Sequence, residues 1–580
     1  METLDNQTNA KPELDRRSFL QRAGAGAAAA ATIGAIGLPI CAPQANAETA
    51  EVLAGALTGK KRAKRAYKLR VQAATAELAR PLPAHPDNGD EALYANKIGS
   101  YSKGLAHDSS TGEVDPDAYD AFVSALESGD GSQIDALVTA GHFGTSDQSR
   151  RRRLVNPLSG LAFEMEGADS QALSMRSAPA FASAEEAGEM VELYWMSLLR
   201  DVNFEDYDSN PTARDACDDL SRMLDFRGPK AGGQVTPQTL FRDTYPGCTT
   251  GPYISQFLLQ PVGFGSQSVD QRIRTSAPGI DYNTTFADWL DLQNGFQPTA
   301  SITPGDLVFC RNGRDLGQYV HVDVLFQAYF VAFLILAGGG YPLDSSNPYG
   351  TILDGGSGKP LPPGASGSIS QTGFGTFGAP GIATFVTEPS SRALKAQWFQ
   401  KWFVHRRLRP EEFGGRVEVS RLGRATYPFH TDLTGSPVLD EVEERRSSHL
   451  LPLAFPEGSP MHTSFGSGHA TVAGACVTML KAFFDESAVV NNPVVPSADG
   501  QSLVAYVGEP LTVGGELNKI ASNVSQGRNI AGVHWRTDAT EANKLGEDVA
   551  ISILRDISIC YSESFSGFTL TRFDGTTITI

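Results

Sequence analysis

The chain has 580 residues, of which 41% are hydrophobic and 20% charged, with 59 glycines and 34 prolines; it is long enough for two helical lobes or one large compound domain and should be rich in irregular connections. A formal charge of −18 opposes a polyanionic partner and excludes nucleic acid as a ligand, and the basic run Arg150-Arg151-Arg152-Arg153 reads as a paired or solvated face. Any anionic substrate must reach its site through a local positive funnel in a globally negative protein.

Residues 1–47 read as a signal peptide. Arg16-Arg17-Ser18-Phe19-Leu20 is a twin-arginine pattern, a weakly apolar Ala/Gly stretch follows, and Ala45-Asn46-Ala47 is a small-residue cleavage site. The mature protein is therefore expected to be exported, periplasmic or extracellular, with no membrane attachment after processing. Of the six cysteines, Cys41 leaves with the leader; Cys217, Cys248, Cys310, Cys476 and Cys560 remain. Their spacing forms neither a disulfide framework nor a CxxC metal site, although Cys217 and Cys248 are the closest pair in sequence, and Cys476 reads as a buried thiol.

Residues 48–80 carry a basic helical pattern that ends at Pro81-Leu82-Pro83. Helical periodicity returns over 184–200, where Met190, Leu193, Met196 and Leu198 fall near one face. The stretch 322–336 (VDVLFQAYFVAFLIL) is almost wholly apolar but too short to span a bilayer unaided, and predicts a central core or interface helix. A Gly/Pro/Ser-rich segment over 338–381 contains Gly373-Phe374-Gly375-Thr376-Phe377-Gly378. It matches G-x-G-x-x-G, but with no preceding strand and no βα alternation it does not predict NAD binding. From 391 the chain is again largely helical until 568–580, where Asp574-Gly575 between alternating Thr and apolar residues predicts a hairpin. The fold class expected is all-α, with minor β hairpins.

Three islands in the last third concentrate cations, histidines and a small-residue nest for an anion. In the first, Lys401 and Arg409 stand eight apart, about 80° around an ideal helix, so that both can face one pocket; Pro410 is expected to end that helix. In the second, His462 precedes Ser467-Gly468-His469, and the amphipathic pattern over 470–484 places Ser467 and Gly468 at a helix N-terminus with free backbone N–H groups. The third runs from Arg528 to His534, followed by Asp538. Any one of these residues alone is ordinary. Three fixed cations, a helix N-terminus, a hydroxyl and several imidazoles in one pocket point to oxyanion chemistry.

The pattern Lys401…Arg409-Pro410, Ser467-Gly468-His469 and Arg528…His534…Asp538 resembles the vanadium haloperoxidases and the related PAP2-type acid phosphatases. The eight-residue step from Lys to Arg favours the algal and cyanobacterial bromoperoxidase branch. So do stretches such as TYPGCTTGPYISQFLLQ, YVHVDVLFQAYF and LLPLAFPEGSPMHTSFGSGHATVAGAC, which look red-algal in type and extend the likeness over most of the chain after about Lys64. Gly466 stands where the family commonly has proline.

The resemblance implies two four-helix-bundle-like cores, an N-terminal helical region over 48–390, and a vanadate-binding catalytic region over 391–580. It implies vanadate as cofactor, with neither haem nor NAD, and leaves a structural calcium open. His534 would be the vanadium ligand, with Lys401, Arg409, Arg528, Ser467 and the Gly468 N–H around the oxyanion. His469 would be the acid–base group, His462 a neighbour of peroxide or halide, Asp538 the residue that orients His534, and Gln400 a possible tuner of halide choice. The implied reaction is oxidation of halide, bromide first, by hydrogen peroxide to hypohalous acid that halogenates small organic acceptors, in a homo-oligomer. The rival on the same pocket is a phosphatase with His534 as nucleophile.

Overall fold

A computed structural model describes residues 58–580; the leader and its cleavage site fall outside these residues. Helix α1, Gly59–Ala79, realises the basic pattern at the start, and none of its residues is buried. Helix α2, Ala184–Leu198, starts at Ser183, whose hydroxyl accepts the Glu186 N–H at 3.1 Å. The periodicity predicted one apolar face, yet α2 is buried on nearly every side. The reason lies elsewhere in the chain: Glu186 and Glu189 pair with buried Arg407, and Glu192 pairs with buried Arg536. Around α2 pack α3, Pro211–Arg222, and two helices introduced below.

The apolar stretch predicted as a helix over 322–336 begins later, as α4, Gln327–Gly338. Val322 and Val324 lie in the bends before it, 70% and 58% exposed, so they belong to the surface and not to the core. The glycine-rich segment runs irregularly into α5, Ala379–Thr387, with Gly378 at its N-cap and no strand before it. Then follow α6, Pro389–Phe399; α7, Pro410–Arg421; α8, Val438–Arg446; α9, Gly468–Phe483; α10, Val513–Ile530; and α11, Arg536–Ser558.

Helix α9 is the axis of the catalytic half: α4, α5, α6, α10 and α11 all pack on it, while α8 and α10 also reach α2. It too departs from its predicted amphipathic pattern, being buried all round except at His469, because neighbours cover every face. Helices α9 and α11 cross with almost no side-chain layer between them. A Cβ on Gly474 would sit 2.0 Å from the Asn543 carbonyl oxygen, and one on Gly546 would sit 1.9 Å from that of Thr471. Ala470, Ala539 and Ala542 form the small cluster beside the crossing.

Strands contribute only two-stranded antiparallel hairpins. The terminal one pairs β7, Thr569–Thr571, with β8, Thr577–Thr579, about the predicted Asp574-Gly575 turn. The others are β1/β2 (Val262–Phe264 with Gln267–Val269), β3/β4 (Ile273–Ser276 with Pro304–Val308) and β5/β6 (Val494–Pro496 with Leu503–Ala505). One apolar core runs from Ile98 to Phe573. The arginine run is structural: Arg150 and Arg151 lie over the Phe296 and Phe143 rings, and Arg152 donates to the Glu457 and Ser459 carbonyls. All five described cysteines are free thiols, and Cys476 is buried. Among the described residues no helix is long and apolar enough to cross a membrane, and no three His, Cys, Asp or Glu side chains converge as a metal cage.

Candidate active site

Lys401 and Arg409 do converge, by a route other than the one their spacing suggested. No continuous helix joins them. Helix α6 ends at Phe399, the chain tightens into a π turn over Gln400–His405, Arg406 adopts a left-handed conformation, and Arg409 is the N-cap of α7. Pro410 therefore opens a helix instead of ending one. Its fixed φ and missing N–H suit the first helical position as well as they suit a stop. The Arg409 N–H donates to the Glu412 carboxylate at 2.6 Å, which closes that helix start.

Ser467 caps α9 as predicted, its hydroxyl accepting the Ala470 N–H at 3.4 Å, and its own N–H donates to the Asp538 carbonyl at 2.8 Å. This last bond ties the start of α9 to the start of α11. Gly466 just before it has no room for a side chain: a Cβ would meet the Asp538 carbonyl oxygen and the Ala542 methyl, both at 2.9 Å.

The pocket between these helix starts is rich in cations that lack counter-ions. Lys401 Nζ donates only to the carbonyls of Thr463 and Ser464, at 2.7 and 2.8 Å. Arg409 donates to the carbonyls of His462 and Val533 and to the rings of His462 and His534. Arg528 donates to the Val320 carbonyl at 2.9 Å, and its Nε is buried without a partner. None of the three touches a carboxylate within ion-pair distance, whereas Lys103, Arg200, Arg407 and Arg536, equally buried, each do. Burying an unpaired cation costs several kcal/mol. Three together make a pocket that is completed by an anion.

The imidazoles answer to the same field. Burial first, then Arg409 and Lys401, holds His534 and His462 well below the ordinary histidine range. Burial, and after it Arg528, lowers His469 as well, with Asp323 acting the other way. Burial pushes Lys401 well below and Arg528 down to about 10. His534 is thus a neutral imidazole. Its Nδ1 lies 2.7 Å from Asp538 Oδ2, so the ring proton sits on Nδ1 and Nε2 presents a lone pair, which accepts from Arg409 at 3.0 Å. Asp538 also accepts from Arg407 at 3.0 Å, from the Ser464 hydroxyl and from the Trp535 N–H at 3.2 Å, so it both orients His534 and caps α11.

His462 stacks near Trp398, with ring centroids 4.8 Å apart, and its Nδ1 faces Arg409 at 2.8 Å. His469 is the more open group, its side chain 20% exposed, with Nε2 3.1 Å from Asp323 Oδ1. All eight residues singled out in the sequence lie at or beside this pocket. Gln400 is occupied elsewhere: buried, it donates to the Leu173 carbonyl at 2.9 Å, which fits a scaffold residue better than a halide contact.

Three contributors escaped the sequence reading. Asp323 was hidden in an apolar run, where a lone carboxylate was itself the available signal. Arg407 looked like one more charge in an arginine-rich stretch. The Thr463 and Ser464 carbonyls carry no side-chain signal at all.

A mainly helical scaffold with an oxyanion nest at two touching helix starts, and a histidine aimed into it, places the chain in the haloperoxidase class. The family model described as VCPO second helical-bundle domain matches residues 437–561. The chain is 37% identical to the vanadium-dependent bromoperoxidase of Corallina pilulifera, over 90% of this chain and 98% of that one, and 32% identical to that of Ascophyllum nodosum, over 89% and 93%. It superposes on the homohexameric structure of the second vanadate-dependent bromoperoxidase from Ascophyllum nodosum with a TM-score of 0.82 at 30% identity, covering 94% of each chain. The chain belongs to the vanadium-dependent bromoperoxidases.

Proposed function

We propose that this protein uses vanadate to oxidise halide, bromide in the first place, with hydrogen peroxide, giving hypohalous acid for the halogenation of small organic acceptors. The net change is H2O2 + Br⁻ + H⁺ → HOBr + H2O. The observation that carries the reading is the trio of buried cations without carboxylates around a neutral, pre-oriented His534. An oxyanion of tetrahedral or trigonal-bipyramidal shape fits that donor set. Bound vanadate supplies a Lewis-acidic centre that activates hydrogen peroxide toward halide.

The chain's own residues do the rest. His534 Nε2 is the ligand to the metal; Lys401, Arg409 and Arg528, with the Ser467 hydroxyl and the Gly468 N–H at the start of α9, hold the oxygens and stabilise charge on them. His469, accessible and paired with Asp323, moves the proton that the net reaction consumes. His462, held by Arg409 and Trp398, borders the side where peroxide or halide arrives. A phosphatase would use the same pocket, and the 32–37% identity to bromoperoxidases over nearly the whole chain favours halide oxidation instead.

The twin-arginine pattern supports export to the periplasm or beyond. The homohexameric relative and the wholly unburied α1 support a homo-oligomer. The decisive experiment strips the protein of metal and follows bromination of a phenol-type acceptor with peroxide and bromide, alongside phosphate-ester hydrolysis. Activity that appears only with vanadate and is lost in His534→Ala is expected; hydrolysis without bromination would make the protein a phosphatase.

A further inference from the structure

A cavity of about 470 Å³ lies beside the pocket, walled by Ile302, Pro304, Tyr319 and Val322, with Gln318 and Arg274 at its polar edge. Two side-chain chains connect it to the site. Asp323, which lines the cavity, bonds His469 at 3.1 Å. His321, also in its lining, stacks on Phe455 with ring centroids 3.9 Å apart, and the Arg528 guanidinium lies 5.5 Å from the centre of the Phe455 ring. The cavity thus stands one side chain from the proposed proton carrier and two from a proposed oxyanion-binding arginine.

We infer that this cavity binds the organic acceptor, a small neutral phenol-like molecule, so that part of the halogenation takes place next to the site where the oxidant is made. The inference rests on the haloperoxidase reading. Halide and peroxide need neither this volume nor apolar walls; the volume falls in the range of about 300–1,000 Å³ typical of small-molecule sites. Val322 keeps a bare apolar side chain in water at this spot, 70% exposed, where an apolar ligand would cover it. Full charge of either sign suits the cavity poorly, since Arg274 stands at one side and Asp323 at the other, with Glu457 bonded to His321 at 2.6 Å. A phenol fits both features: an apolar ring for the walls and one hydroxyl for Gln318 or Arg274. Its electron-rich ring also takes up the product of the reaction, ArH + HOBr → ArBr + H2O: a ring C–H and the O–Br bond break, C–Br forms, and the ring proton leaves with hydroxide as water.

The test separates binding from chemistry. Binding of phenol and 4-propylphenol to the full-length protein is measured by ligand-detected NMR without vanadate or peroxide. The same pair then competes for bromination by the vanadate-loaded enzyme and by reagent hypobromite. Saturable binding is expected, tighter by roughly fourfold for each buried methylene, together with an enzymatic product ratio shifted toward 4-propylphenol relative to the reagent. Val322→Trp, which fills the mouth, and Ile302→Glu, which charges the wall, should abolish both preferences, while bromide-dependent oxygen evolution from peroxide without acceptor persists in Val322→Trp. No saturable binding, or a wild-type product ratio equal to that of reagent hypobromite, overturns the inference. Retained phenol binding with no bromide oxidation at any vanadate level would overturn the haloperoxidase reading and, with it, the acceptor role.

Discussion

Asp538→Asn isolates how the pocket prepares its histidine. The carboxylate has two sides: Oδ2 accepts from His534 Nδ1 at 2.7 Å, from the Trp535 N–H and from the Ser464 hydroxyl, while Oδ1 accepts from Arg407 at 3.0 Å. An asparagine of the same shape has one acceptor and one donor end. With its oxygen toward His534, its NH2 meets the Arg407 guanidinium; with its oxygen toward Arg407, its NH2 donates to His534 Nδ1 and forces the ring proton onto Nε2, where it blocks ligation. The second orientation leaves no donor facing a donor at the arginine and should prevail. Loss of such an orienting partner typically weakens metal binding by about 10–100-fold, or roughly 1.4–2.7 kcal/mol. At vanadate one hundred times the wild-type Kd, stabilisation of the folded state by ligand would fall from about 2.7 to about 0.4 kcal/mol in the hundredfold case. Calorimetric vanadate titration and thermal melting with and without vanadate read both quantities. A folded Asp538→Asn protein that binds vanadate as the wild type does would refute the orienting role.

Lys401→Met removes one of the three uncompensated cations. Vanadate-induced stabilisation should disappear in melting curves, and a persisting increment would mean that the anion sits elsewhere. Asp323→Asn takes away the carboxylate that raises the proton affinity of His469 against burial and Arg528, so the imidazole titrates lower still. The limb of the kcat/KM–pH profile that follows His469 should move to lower pH; an unmoved or raised limb contradicts its assignment. Gly546→Ala drives a methyl into the Thr471 carbonyl and should destabilise by about 1–3 kcal/mol or more, read as a lower denaturation midpoint; an unchanged midpoint would show that the crossing can relax.

The pocket was legible because its residues carry their chemistry in their type: a lysine, two arginines and three histidines spaced about a Ser-Gly helix start announce an anion whatever path the chain takes. The path itself was not. Pro410 is equally at home after a helix and at its first position, and only the left-handed Arg406 ahead of it decides between the two. The single apolar face predicted for α2 was wrong for a long-range reason. Glutamates on its other faces are buried by arginines more than 200 residues away in sequence, with Glu186 and Arg407 separated by 221 positions, and no local periodicity encodes such partners. Asp323 failed to stand out because hydropathy averages over a window, and one carboxylate among valines and leucines vanishes in the mean.

The crossing of α9 and α11 bears on how the protein can change. Ser467 and His534 are carried at the starts of two helices that meet backbone to backbone near Gly474 and Gly546. No compressible layer of side chains lies there, so the distance between hydroxyl and imidazole is a matter of main-chain geometry. Exchanges of leucine for valine or phenylalanine in the surrounding core alter volumes that the joint does not transmit. Most of the interior is therefore free to drift in sequence without re-aiming the histidine, so long as two positions stay without side chains.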